Sequence, residues 1–152
     1  MASIVTVHTI EKIPTGEKRN GRPSGIMIPI WKDYDPIPRI VPRFVYMMTC
    51  APGRQKGPYL HTKRRGLLTL AEGRVRLVYQ EGHTFREVDM DAGEKAVMAD
   101  ISAGTGYLIK NPSPDREAVF IVICDYPWRK ADQEMVVPDF SGYVQDADGY
   151  KG

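Results

Sequence analysis

The hydrophobic pattern of the chain consists of short apolar runs interrupted by Gly, Pro, Asn and Asp. Around Val75, Leu77 and Tyr79 it has a period of two, as in a strand with one buried face. The segment Ala118–Cys124 is apolar throughout and rich in β-branched residues, which predicts a strand buried on both faces. No window has a sustained helical period. We predict strands near residues 3–10, 43–51, 58–63, 66–72, 74–80, 84–89, 95–100, 106–110 and 117–125. Strands that recur every ~8–12 residues indicate an all-β sandwich or barrel.

The segments that flank these strands differ in composition. Residues 14–43 hold many of the prolines, and we interpret them as an extended arm with an edge strand around Ile26–Trp31. Residues 131–152 are polar with scattered aromatic residues, which predicts a tail that crosses the barrel or frays. The expectation is a single domain over 1–152, with an arm over about 1–43, a core over about 44–128 and a tail over about 129–152.

Composition excludes several classes of protein. The 152 residues are 42% hydrophobic and 26% charged, which is typical of a soluble globular domain. The net charge of +2 is too small to indicate nucleic-acid binding. No apolar run approaches the roughly 20 residues of a membrane helix, and the N-terminus lacks the pattern of a signal peptide. Cys50 and Cys124 lie in apolar contexts, which favours buried free thiols. We therefore expect a cytoplasmic protein without a membrane or nucleic-acid partner.

Candidate chemistry is concentrated in one short run. Tyr59, His61, Lys63 and Arg65 alternate, so an extended strand would present all four on one face. A face with a phenol, an imidazole and two cations suits a polar pocket that binds an anion and moves a proton. A solvated strand face is the alternative interpretation.

The spacing of these residues resembles the two motifs of the cupins, which are small double-sheet jelly rolls. The first cupin motif has the spacing found here from Gly53 through Tyr59-Leu60-His61 to Gly66 and Gly73. The second motif has the spacing of Ser102-Ala103-Gly104, Tyr107 and Asn111. The resemblance implies a cupin jelly-roll β-barrel.

The positions that ligate a metal in other cupins are mostly changed in this chain. They hold Tyr59, His61, Gly66 (or its neighbour Arg65) and Tyr107. A catalytic divalent metal normally needs about three protein ligands. We therefore predict no metal and no other cofactor.

Over most of residues 40–138 the chain resembles the metal-free cupins that act on nucleotide-linked sugars. These include dTDP-4-dehydrorhamnose 3,5-epimerases and dTDP-4-oxo-6-deoxyglucose 3,4-ketoisomerases. Their strand motif begins Arg-Gly-x-His, and in the ketoisomerases it continues x-His-Lys. The corresponding segment here is Lys56-Gly57-Pro58-Tyr59-Leu60-His61-Thr62-Lys63, and Gly73-Arg74-Val75 follows it. The later segments Ile109–Pro114 and Cys124–Pro127 resemble the closing strands and tail of the epimerases.

This resemblance implies an isomerase of a nucleotide-linked 4-keto-6-deoxy sugar, with 3,4-ketoisomerase favoured over epimerase. His61 would be the base, because the reference pKa of imidazole, ~6.5, lies near cellular pH. Tyr59 and Tyr107 would donate to the enolate, and Tyr126 is a further candidate acid. Four cations would bind the pyrophosphate of a dTDP-sugar: Lys56, Lys63, Arg64 and Arg65. Along a strand, Arg64 should face the side opposite to Arg65. The nucleotide base would stack on an aromatic ring: Trp31, Tyr34 or Tyr46.

Several alternatives remain open at this point. Tyr59 replaces the histidine that the epimerases use as base, and a phenol with a reference pKa near 10 is a poor base at neutral pH. A non-catalytic cupin that binds a sugar or a nucleotide sugar is therefore the second hypothesis, and a cupin lyase or oxygenase is the third. His61 could also be a structural histidine, and the tyrosines could serve packing. Finally, the sheet edges of a barrel need covering, and Ser3–Ile10 with the arm offers a segment to exchange, so we predict a homodimer.

Overall fold

The computed structural model describes residues 4–33, 40–93 and 95–143. Within these ranges the chain forms strands and loops, and no helix. The described residues therefore include no helix that could span a membrane. The strands are β1 (Val5–Ile10), β2 (Ile13–Gly16), β3 (Pro23–Met27), β4 (Phe44–Cys50), β5 (Gln55–His61), β6 (Gly66–Glu72), β7 (Arg74–Glu81), β8 (Thr84–Asp91), β9 (Ala96–Ile101), β10 (Gly106–Lys110), β11 (Ala118–Cys124) and β12 (Met135–Val136).

Ten of these strands form two antiparallel sheets. The first sheet has the order β1-β9-β6-β11-β4, and the second has the order β12-β5-β10-β7-β8. Alternate side chains of both sheets meet in one core, as with Leu70 of β6, Leu77 of β7 and Phe120 of β11. This arrangement confirms the predicted all-β sandwich, and the period of two in β7 follows from its single core-facing side.

The outer face of the first sheet is also partly covered, which explains the apolar run of β11. Phe120 and Val122 face the main core, whereas Ile123 belongs to a second cluster with Leu67, Met98 and Ile40. Ile30 from the arm packs against that second cluster. β11 is therefore buried on both faces, as its composition predicts.

The N-terminal arm has more regular structure than the sequence suggests. β2 and β3 pair with each other in a separate two-stranded sheet, so the strand expected around Ile26–Trp31 lies earlier in the chain, over Pro23–Met27. β3 ends at Met27, shortly before Pro29, which has no N–H to donate to a ladder. β1 pairs with β9 of the same chain, so the first sheet is complete without strand exchange.

The C-terminal segment crosses the second sheet, as expected. β12 pairs with β5, with Met135 opposite His61. Farther along, the amide of Gln80 donates to the carbonyl of Asp139, and Phe140 packs edge-on against Phe85 of β8. The segment therefore runs beside β5 at the edge of the sheet and then reaches β8.

Candidate active site

Three rings meet near one end of the sandwich, where β5 pairs with β10. Tyr107 lies directly opposite Tyr59, and their ring centroids are 5.6 Å apart. The His61 ring lies 6.0 Å from that of Tyr59 and 6.2 Å from that of Tyr107. The structure thus brings together three of the four predicted catalytic residues.

A bulge next to Tyr59 makes this pairing possible. Between the pairs Tyr107–Tyr59 and Ile109–Lys56, β5 has one residue more than β10. Gly57 occupies this bulge with φ of +94°, and a Cβ there would lie 3.1 Å from the carbonyl oxygen of Tyr107. The position therefore favours glycine both for its backbone conformation and for the close approach.

The rings lie at the junction of two connected spaces. An inner chamber reaches between the sheets, and an outer cleft of about 500 Å³ opens beside β4. Both are lined by Tyr46, His61, Arg64 and Tyr107. The cleft adds Lys56, Tyr59 and Trp128, while the chamber is closed by residues of the sheets and loops: Gly66, Leu68, Ile101, Ser102, Thr105, Val122 and Cys124. The cleft has the size of a small-molecule site.

His61 is bonded to a buried carboxylate that the sequence analysis missed. Glu134 is only 4% exposed, and its Oε1 lies 3.0 Å from Nδ1 of His61. Nε of Arg64 donates to the same oxygen at 2.6 Å. A carboxylate on Nδ1 selects the tautomer with its proton there, which leaves Nε2 as the basic nitrogen. No local signal in the polar tail distinguishes Glu134 from its neighbours.

The surroundings keep His61 neutral. Burial lowers the pKa of His61, and the positive charge of Arg64 lowers it further, while Glu134 acts in the opposite direction. Burial is thus the larger cause of the lowered pKa, and the cation that adds to it is Arg64 rather than the expected Lys63 or Arg65. A neutral imidazole can accept a proton at cellular pH.

The tyrosines around His61 are phenols rather than phenolates. Burial raises the pKa of Tyr107 and of Tyr59, and it raises the pKa of Tyr46 to about 12. These groups can donate hydrogen bonds but are unsuited to act as the first base. Tyr126 is not among the side chains that line the chamber or the cleft; it donates to Asp132, and the Lys63 ammonium lies 5.7 Å from its ring centroid.

The expectation of a single face with Lys63 and Arg65 beside His61 is wrong. β5 ends at His61 and the chain bends at Thr62 and Lys63, so the alternation stops there. The side chain of Lys63 is 57% exposed and lies 3.9 Å from Asp132. Arg65 forms a two-pronged ion pair with Asp100 at 2.8 and 2.6 Å, and this hydrogen bonding raises its pKa.

Of the four predicted cations, Arg64 and Lys56 line the cleft together with His61. Arg64 is only 7% exposed and lines both spaces, whereas Arg65 points elsewhere, to Asp100, so of these two arginines it is Arg64 that faces the site. Lys56 lines the cleft. Both cations are therefore close enough to meet a ligand that also contacts His61.

Of the proposed stacking rings, the structure brings Tyr46 to the site. Trp31 lies within the arm, where its indole N–H donates to the carbonyl of Ile40 at 3.2 Å. Tyr34 lies outside the described residues. Trp128, which the sequence analysis did not select, lines the cleft. Its position just after the closing strand was the available signal.

The described residues contain no group of three or more His, Cys, Asp or Glu side chains arranged to hold a metal ion. His61 instead uses its Nδ1 for Glu134. That the purified protein carries no metal stays a prediction, which elemental analysis of untagged protein would test.

Neither a protein-family model nor a curated protein matches the sequence, but solved structures match the fold. A dTDP sugar isomerase from Desulfovibrio desulfuricans G20 matches with a TM-score of 0.76 and 15% identity, over 97% of this chain and 92% of the other. The 3,4-ketoisomerase QdtA from Thermoanaerobacterium thermosaccharolyticum, solved as a histidine-to-asparagine mutant with TDP-4-keto-6-deoxyglucose, matches with a TM-score of 0.66 and 17% identity, over 90% and 88%. A 3,4-ketoisomerase from Helicobacter canadensis matches at 0.65 and 14%, over 87% and 89%.

This chain has the fold of the sugar ketoisomerases. The match extends over nearly the whole length of each chain, arm and tail included, and it confirms the predicted cupin jelly roll.

Proposed function

We propose that this protein isomerises a nucleotide-linked 4-keto-6-deoxy sugar by moving a proton next to the ketone. One observation carries the proposal: a neutral His61, bonded through Nδ1 to Glu134, lies among protonated tyrosines at the junction of the chamber and the cleft. The substrate class is taken from the structural relatives, one of which holds TDP-4-keto-6-deoxyglucose. 3,4-Ketoisomerisation is favoured over epimerisation.

The reaction moves protons and needs no redox partner. Nε2 of His61 takes the proton from the carbon next to the ketone, and the electron pair of that C–H bond forms the double bond of an enolate. Tyr107 or Tyr59 protonates the former ketone oxygen, giving an enediol and a phenolate. The phenolate then takes the proton of the neighbouring hydroxyl, and His61 returns its proton to the former carbonyl carbon. The product has the ketone moved by one position.

The remaining charges near the site support binding and stabilisation. The guanidinium of Arg64 lines the chamber and favours negative charge on the enolate oxygen. Lys56, which lines the cleft, is positioned for the pyrophosphate. The tyrosines Tyr46 and Tyr59 or Trp128 offer faces on which the nucleotide base can stack.

Proton exchange tests this function directly. Wild-type protein and dTDP-4-keto-6-deoxyglucose in deuterated water should give incorporation of deuterium next to the ketone and a new keto sugar, both followed by NMR. A control without protein measures the spontaneous rate. Absence of both a new keto sugar and deuterium exchange at full occupancy of the site would overturn the catalytic proposal, whereas product without deuterium would mean that His61 carries the same proton between the two carbons.

A binding protein without catalysis is the second candidate. It is favoured by Tyr59, which stands where the epimerases have the histidine that acts as base. In that case dTDP and dTDP-sugars bind with no exchange, and His61 serves only to hold Glu134. Titration calorimetry and the exchange experiment on the same preparation distinguish the two functions.

We infer further that the protein is a cytoplasmic homodimer. The support for a dimer is β4, which is the last strand of the first sheet and presents Val45 and Met47 outward at 57% and 69% exposure. An exposed apolar edge strand favours association. The support for the cytoplasm is the pair of buried free cysteines, Cys50 and Cys124.

A further inference from the structure

Thr105 is a buried polar residue in the chamber that the mechanism above does not use. The residue is only 3% exposed, and its Oγ1 has no hydrogen-bond partner in the part of the chain that the structure describes. Buried hydroxyl groups nearly always have a partner, because leaving one unpaired costs stability. The unpaired hydroxyl of Thr105 therefore indicates a ligand group as its partner.

The strand geometry aims Thr105 into the chamber beside His61. Tyr107 and Ile109 of β10 face the core, so the residue two positions earlier faces the same way. Thr105 itself precedes β10, and the bond from the Gly104 amide to the His61 carbonyl ties this segment to the end of β5. Thr105 and His61 both line the chamber.

The chamber can admit only a small group. Its cavity volume is about 10 Å³, which is close to the space of one water molecule. Leu68, Ile101 and Val122 form its apolar walls, while Thr105, His61 and Arg64 supply polar atoms. A whole sugar ring belongs in the cleft, and a single oxygen substituent fits the chamber.

We propose that Thr105 is a specificity-determining residue whose hydroxyl binds the oxygen substituent of the sugar that enters the inner chamber. This inference rests on the proposed function. A hydroxyl both donates and accepts, so it can donate to a carbonyl oxygen and accept from an alcohol. That property suits a reaction in which one position changes between ketone and hydroxyl. Sugars that lack an oxygen at this position should be rejected.

The test compares two nucleotide ligands in a His61→Asn background, which prevents turnover. Calorimetry would measure the affinity for dTDP and for dTDP-4-keto-6-deoxyglucose in Thr105→Val, Thr105→Ser and Thr69→Val variants. Thr69 is also buried but does not line the chamber, so it is the matched control. Thr105→Val should lose at least about tenfold in affinity for the keto sugar, the low end for an unpaired polar contact in a polar site. Its affinity for dTDP should be unchanged, and Thr105→Ser and Thr69→Val should bind both ligands like the parent.

The outcomes separate this inference from the proposed function. If the parent binds both ligands and Thr105→Val does so equally well, the hydroxyl holds only solvent and the inference is wrong. Equal losses for dTDP and the keto sugar would indicate a distorted site and also overturn it. If the parent binds neither ligand, the proposed function fails first. The melting temperature of Thr105→Val should be no lower than that of the parent, because the change removes an unpaired buried hydroxyl. If Thr105→Val does not fold, Thr105→Ala provides the same comparison of the two ligands.

Discussion

Oε1 of Glu134 lies 3.0 Å from Nδ1 of His61, although 73 residues separate the two along the chain. The contact forms because β12 pairs with β5, which brings the residue just before β12 over the end of the β5 strand. The same oxygen accepts from Arg64, so one carboxylate orients two of the polar side chains that line the chamber.

Glu134→Gln should lower the isomerisation rate about tenfold and move its pH profile. Glu134 is the group that raises the pKa of His61 against burial and Arg64, so loss of its charge lowers that pKa further. A weaker base accepts the proton of the substrate less readily, so the rate should fall by about an order of magnitude. The acidic limb of kcat/KM should therefore move to lower pH, with a lower plateau.

Asp132→Asn is the matched control for this substitution, because Asp132 lies in the same segment but pairs with Tyr126 and Lys63. It should leave the pH profile in place. An unchanged profile in Glu134→Gln would show that Glu134 does not control the protonation of His61.

His61→Asn should reduce deuterium exchange at least ~10²-fold, the usual lower scale for a general base. The amide keeps the size of the side chain but cannot take the proton. Affinity for dTDP should stay nearly constant, since His61 contacts the reacting part of the ligand. Tyr59→Phe should retain more activity, because Tyr107 can donate in its place. An active His61→Asn together with an inactive Tyr59→Phe would contradict the assignment of the base.

Stability should fall as the pH drops through the range in which the unfolded chain protonates His61. Folding lowers the pKa of His61, so the unfolded state binds this proton more tightly. The folded state therefore loses free energy of unfolding below the unfolded pKa of ~6.5, and the loss levels off once the pH is below the folded pKa. Urea unfolding between about pH 7.5 and 5.5 would measure this slope. His61→Asn should flatten it, whereas His83→Asn, at an exposed position in the β7–β8 turn, should not.

The cations near the site should contribute unequally to nucleotide binding. Lys56→Ala should weaken dTDP binding by at least ~1.5 kcal/mol, the low end for a hydrogen bond to a charged group. Lys63→Ala should have a smaller effect, because Lys63 is exposed and lies near Asp132. Calorimetry at two salt concentrations would measure both effects, and binding should weaken as salt rises. A larger loss for Lys63→Ala than for Lys56→Ala would restore the original assignment from the strand pattern.

Met47→Lys should shift the protein from dimer to monomer. The substitution places a charge on the exposed face of the edge strand β4, where a partner sheet would have to bury it. Light scattering at micromolar concentration would report the mass, with Val7→Lys on the opposite edge strand β1 as the control. A wild-type monomer would exclude the dimer, and an unchanged mass in Met47→Lys would exclude β4 as its interface.

Most of the fold is readable from local patterns in the chain. Strand positions follow from the period of two, and strand boundaries follow from Gly, Pro and Asn, because these signals act between near neighbours. The apolar run of β11 also predicts burial on both faces. The spacing that places Tyr59, His61 and Tyr107 in cupin motifs is likewise a local property, and the register of β5 and β10 then brings their rings together.

The partners of these residues depend on contacts between distant segments. Lys63 and Arg65 continue the alternation of β5 in the sequence, yet the strand ends at His61, and the amide of the next residue, Thr62, bonds to the carbonyl of Glu134. That same contact turns Arg64 inward and brings Glu134 to His61. A pairing between residues about seventy positions apart leaves no period or spacing in the sequence, because its stability comes from tertiary packing and buried charge compensation.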